Sequence, residues 1–263
     1  MKRWARTVGT VGIVVVLATA ATQGFARAAA GARAGRGPAW QTAVADLLEA
    51  ARSVDPVASV LQSQAREHTK PFDILRSAQT LARVLHALGQ DAADLSANLS
   101  GGLTAATAAR GDFLAECAAY KKFRVDGQGG GPTATVVADQ SAVLNAWTAL
   151  YNQTMAAVPR LQAAHQNLDD LTAGVYEAGI DTNALVASAK AYKAYKDVRL
   201  VVQIIGEHNV THLLGQVTIR AARLDDPIDA ADTQLDSDEA AGYAMRGVTG
   251  IGNVYSPVPP ACP

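Results

Sequence analysis

Between Pro71 and Leu99, apolar residues recur at Ile74, Ala78, Leu81, Leu85, Leu88, Ala92, Leu95 and Leu99, in steps that alternate four and three. Residues spaced 3.5 apart on average fall on one stripe of an α-helix. Arg76, Gln79, Arg83, Gln90, Asp91 and Asp94 take the other faces, as suits a helix with water on one side and partner helices on the other. The pattern predicts a helix with a heptad seam, opened by Pro71 in its first turn.

Much of the chain repeats this pattern. Over Ala39 to Glu67, Trp40, Val44, Leu47, Leu48 and Ala51 lie at helical spacing. Asp55-Pro56 predicts a break near Val54, because proline cannot donate the i→i−4 bond and disfavours the α region before it. Ser100-Gly101-Gly102 reads as a stop. A third helix then spans about Thr104 to Val125, with a stripe of Leu103, Ala106, Arg110, Phe113, Cys117, Tyr120 and Arg124. Arg110 is read as a stem on the core with its head at the surface. Asp126 to Thr135 is a glycine-rich loop; it lacks the Gly-Lys-Ser/Thr ending and the G-x-G-x-x-G spacing of phosphate loops.

From Ala134 to Glu177 the stripe reads Val137, Gln140, Leu144, Trp147, Tyr151, Thr154, Val158, Leu161, His165, Leu168, Thr172 and Val175. Pro159 should kink or split that helix, and Ala178-Gly179 should close it. Asp181-Thr182-Asn183 offers caps for a fifth segment, read as one long helix from Ala184 to Ala221, bent at Gly206. The β-branched run Val198 to Ile205 leaves a hairpin with Val210 to Ala221 as the alternative. From Asp225 the pattern fails. Asp225-Asp226-Pro227 reads as a helix end, and Asp229, Asp232, Asp236, Asp238 and Glu239 as a solvated acidic stretch with room for one short helix. Gly247, Gly250, Gly252, Pro257, Pro259 and Pro260 make an irregular tail.

The predicted fold is therefore all-α: an elongated antiparallel bundle of four to five long helices with coiled-coil-like seams over 39–225, then an acidic and Gly/Pro-rich tail over 226–263. A low aromatic content of 5% favours close-packed helices over a β-sandwich. The formal net charge of −1 argues against a basic nucleic-acid surface.

The first residues change the picture of where the protein works. Lys2, Arg3 and Arg6 precede an apolar run from Val8 to Ala21, and Ala26-Arg27-Ala28 is a small-x-small pattern. This is the layout of a signal peptide cleaved near Ala28, so residues 1–28 are read as an export signal and 29–38 as a flexible basic lead-in. Membrane contact is expected only during export.

Candidate chemistry is sparse. Cys117 and Cys262 are the two cysteines, and an exported setting permits a bridge between them. It would staple the tail to the third helix. His208 and His212 have metal-ligand spacing if they share a helix face, but His208-Asn209-Val210-Thr211-His212 lacks the glutamate of a zinc-protease motif. His165 is read as a hydrogen-bonded core residue. The acidic stretch lacks a calcium-loop pattern. Asn98, Asn152 and Asn209 head glycosylation sequons, with Asn209 in a run read as buried. No serine elbow, Cys-x-x-Cys or nucleotide loop occurs, and no cofactor is expected. The leading expectation is a non-enzymatic exported interaction or assembly component, at the cell surface or in a secretion- or pilus-type apparatus, that meets a protein partner or itself through helices. The alternative is a periplasmic or extracellular binding protein holding a small ligand or metal near Trp147, Tyr151, His208 and His212.

Overall fold

The structure, a computed structural model, describes residues 39–67, 72–192 and 196–263. The expected export signal and lead-in, and the boundary at Thr69-Lys70-Pro71, lie outside the described residues. Among the described residues six helices follow in order: α1 (Ala39–Glu67), α2 (Phe72–Gln128), α3 (Thr133–Ala191), α4 (Lys196–Glu207), α5 (Val210–Ala221) and α6 (Asp225–Gly250). No strand occurs among the described residues. The fold is an all-α helical bundle, and the run Val198 to Ile205 is helix.

All eight seam positions from Ile74 to Leu99 are buried, at 3% exposure or less. Each leucine withdrawn from water contributes ~2 kcal/mol, so tertiary packing rather than propensity sets the helix. That same packing carries α2 through Ser100-Gly101-Gly102, where a stop was expected. Gly101 and Gly102 are not turn glycines. A Cβ at Gly102 would stand 2.8 Å from Leu161 Cδ2 and 3.3 Å from the Leu161 backbone nitrogen. They let α2 and α3 approach closely, and α2 runs unbroken for 57 residues, roughly 85 Å along its axis.

α3 is as long, at 59 residues, with Pro159 inside it; α1 likewise contains Pro56. Neither proline splits its helix. Both lie on exposed faces, where water can serve the carbonyl that loses its partner. The buried stripe continues past each: Val54, Val57, Ala58 and Leu61 in α1, Leu161, Ala164, Leu168 and Leu171 in α3. Ala178-Gly179 does not end α3 either, because Ala178, Thr182, Leu185 and Ala189 extend its buried side.

The turn between α2 and α3 is shorter than the expected loop, at residues 129–132. Gly130 takes a left-handed conformation (φ 67°), and the Gly131 N–H donates to the Asp126 carbonyl at 2.8 Å. The two helices then run antiparallel: Lys122 meets Asp139, Gly102 meets Leu161, and Leu88 meets Gly174.

This hairpin is covered differently along its length. Far from the turn, α1 packs on α2 and α5 packs on α1 and α3. Asp55 of α1 bonds His86 of α2 at 2.9 Å, and Arg220 of α5 donates to the Asp46 carbonyl of α1 at 2.7 Å. α4 and α5 are separate helices rather than parts of one. The break falls at His208-Asn209, not Gly206, with Asn209 left-handed (φ 45°); asparagine tolerates that conformation better than most side chains. Near the turn, α6 lies antiparallel to α3 and packs against α2 as well.

α6 is the main departure from expectation. The acidic stretch forms a 26-residue helix, and Asp225-Asp226-Pro227 starts it rather than ending its predecessor. Acids in the first turn suit the helix dipole. Its buried side is Ile228, Leu235, Asp238, Gly242, Met245 and Thr249. Within the expected tail, 226–263, residues 251–263 alone are irregular, and they too pack on the bundle.

Candidate functional site

The end of the bundle near the α2–α3 turn concentrates the unusual side chains. α2 turns Phe113, Glu116, Cys117, Tyr120 and Phe123 inward, all at 2% exposure or less. Two of these hold residues 251–263 down. Cys117 forms a disulfide with Cys262, with a Cα–Cα distance of 5.6 Å, and the Tyr120 hydroxyl donates to the Ser256 carbonyl at 3.2 Å. Gln128 Nε2 donates to the Val254 carbonyl at 2.6 Å, and Lys121 Nζ donates to the Pro263 carbonyl. The cysteine pair expected from the sequence is thus joined, and it staples the tail to the expected helix.

Glu116, the residue before Cys117, is fully buried where α2, α3 and α6 meet. Gly242 of α6 makes room for it. A Cβ there would stand 2.6 Å from Glu116 Oε2, 2.7 Å from Leu150 Cδ2 and 3.0 Å from Trp147 Cε3. Neither Glu116 oxygen has a hydrogen-bonding partner among the described residues. Burial alone pushes its carboxyl up to about 8, so it is mostly a neutral acid at pH 7.

Nearby, Arg110 Nη1 donates to Asp238 Oδ1 at 2.6 Å, and Gln234 Nε2 donates to the same oxygen at 2.8 Å. Asp238 is buried. Desolvation raises its carboxyl above the usual range, opposed by Gln234 and Arg110. The Arg110 guanidinium also lies over the Phe113 ring, 5.1 Å from its centre. The expected stem-on-core reading of Arg110 holds, with a buried carboxylate added at its head. Closer to the turn, Lys122 bridges Asp126 and Asp139, and those bonds raise Lys122 and lower Asp126.

The α3 stripe is rotated from the expected one. Trp147, Thr154, Leu161 and Leu168 are buried as read, but their flank is Val143, Leu150, Ala157, Ala164 and Leu171. Tyr151 is exposed at 42%, and His165 is at the rim of the interface rather than in the core. Tyr151 and Tyr243 each sit 6.0 Å from the Trp147 ring, and Arg246 lies over it at 5.9 Å.

His208 and His212 do not share a helix face. His208 lies in the turn before α5, the left-handed Asn209 separates the two, and both are exposed. Trp147 meets Tyr243 and Arg246 of α6, and Tyr151 packs on Trp147; among the described residues neither is joined to these histidines. Asn209 is exposed, not buried; Asn152 is exposed too, while Asn98 is engaged, donating to Asn167 Oδ1 at 2.8 Å. A histidine–carboxylate group that the sequence did not single out is His165, Asp225 and Asp229, whose ligand atoms all lie within 4.8 Å of one another.

Grooves large enough for a side chain or a small ligand lie on the surface of the described residues, two of them along α3. One, of about 320 Å³ between α3 and α5, is lined among others by Val175, Tyr176, Ile180 and Leu214, with Gly179 and Gly215 in its wall. The other, of about 330 Å³, lies between the end of α3 and α4 and is lined by Val186, Ala189, Val198 and Val202. No helix among the described residues is long and apolar enough to cross a membrane. No protein-family model, curated protein or solved structure matches the chain.

Proposed function

We propose that the protein is a non-enzymatic, exported helical bundle that works as an interaction or assembly component, docking a helix of a partner protein. The α3–α5 groove carries this reading. Tyr176 and Ile180 are 72% and 51% exposed beside it, and Ile219 of α5 is 54% exposed. Gly179 and Gly215 have open space where a side chain would stand. Large apolar side chains beside small ones give a helix a ridge and a hollow to dock against. The heptad seam of α2 is spent inside the chain, so partners would meet these outer faces.

Export is supported by the signal-like first 28 residues and by the Cys117–Cys262 bond, since stable disulfides belong to oxidising compartments. A photo-cross-linking residue placed at Tyr176 or Ile180 in the source cells should yield a discrete adduct, absent when the probe replaces exposed Thr104 of α2. Equal labelling at all three positions, or no adduct at any, would contradict the reading.

A further inference from the structure

We propose that His165, Asp225 and Asp229 form a binding site for a divalent transition-metal ion that ties α3 to the first turns of α6. The site is independent of where the protein works and of what it docks. His165 Nε2 and Asp229 Oδ1 are 3.4 Å apart. Two ligands on bonds of ~2.0–2.2 Å at a tetrahedral angle also stand ~3.4 Å apart, so this edge already has the spacing of a coordination shell. Asp225 lies one turn before Asp229 on the same face of α6, and its carboxylate completes a three-atom group within 4.8 Å. Both aspartates are exposed, free to close the remaining gap, and water can fill the open positions.

The surroundings lack a competing cation on the same helix. α6 carries Asp225, Asp226, Asp229, Asp232, Asp236, Asp238 and Glu239, and no lysine or arginine before Arg246. Arg110, from α2, serves Asp238. Asp232, next along the face of Asp225 and Asp229, is raised above the usual carboxyl range by burial and by Asp236 and Asp229, with His165 acting against them. Like charges one turn apart are destabilising without a counter-charge. The helix dipole accounts for acids at Asp225 and Asp226. It does not account for an imidazole from α3 placed against Asp229.

The donor set selects the ion. One imidazole nitrogen and two carboxylates suit zinc and its first-row neighbours. Calcium takes 6–8 oxygens, more than this group supplies.

The test is isothermal titration of the purified, metal-stripped chain with zinc chloride, paired with thermal melting. One zinc per chain should bind saturably and raise the melting temperature by several degrees. His165→Ala and Asp229→Asn should each weaken binding at least tenfold while melting near the metal-free wild type. His208→Ala and His212→Ala should bind as wild type does. Calcium chloride in place of zinc should give no saturable heat. The proposal is overturned by a wild-type chain that takes up no zinc, by binding that survives His165→Ala, or by binding lost in His212→Ala.

Discussion

A buried carboxyl at Glu116 holds its proton more tightly in the folded chain than in the unfolded one, because burial strips it of water and neither oxygen finds a partner among the described residues. Its pKa is raised from 4.5 to about 8. The folded state therefore binds more protons than the unfolded state between those values, and stability falls as pH rises through them. The contribution is fully present below about 4.5 and gone above about 8. Glu116→Gln has no proton to lose. It should match the wild type at pH 5 and exceed it by about 1–3 kcal/mol at pH 8 in denaturant melts. A wild-type stability as flat with pH as the variant's would contradict the buried acid. Gly242 is fixed by the same contact. Gly242→Ala should destabilise by about 1–3 kcal/mol through overpacking, read as a lower melting midpoint. Arg110→Ala should cost about 2–3 kcal/mol by leaving Asp238 buried without its cation. Adding Asp238→Asn should restore part of the loss, and a cycle with no coupling between the two changes would show that the pair does not act together.

Between helices, stability resides in the α2–α3 hairpin. Leu88 sits against Gly174, whose missing side chain gives it room. Leu88→Ala should cost about 2–5 kcal/mol, the range for a fully buried leucine, measured by chemical unfolding. The seam of α2 was legible because its core positions are leucines with polar neighbours. The spacing places the side of α3 one position off because its buried flank is rich in alanine (Ala157, Ala164, Ala178), while Leu144, Tyr151 and Val158 look more apolar. That offset of one position is why the sequence reads His165 as core and the structure places it at the rim. The sequence leaves room for only one short helix where α6 stands, because the buried side of α6 includes Asp238, Gly242 and Thr249. These count as polar or breaking residues until Arg110 and Glu116 are seen across from them. Gly101-Gly102 carry the same ambiguity: glycine marks a helix end or a close helix contact, and only the partner helix distinguishes the two. The disulfide was legible as a possibility, since two cysteines allow one pairing. The buried state of Glu116 was not, because a glutamate beside alanines and a cysteine carries no mark of burial.

For the molecule as a whole, the Cys117–Cys262 bond closes a loop across a sequence separation of 145 residues. Chain-entropy arguments put its contribution at up to ~5 kcal/mol. A Cys117→Ser, Cys262→Ser double variant should therefore unfold at markedly lower denaturant, and residues 251–263 should become the first site of proteolysis. An unchanged midpoint would show that the side-chain contacts of the strap suffice without the bond. Because the leucine seam is satisfied within the chain, light scattering should find a monomer whose mass reductant does not change. Export decides where such a partner would be met, and it is tested most directly by the intact mass and thiol content of the protein recovered from its source cells. The expected form lies outside the cytoplasm, lacks about the first 28 residues, and takes up alkylating reagent at Cys117 and Cys262 only after reduction. A full-length chain in the cytoplasm with both thiols free would contradict it.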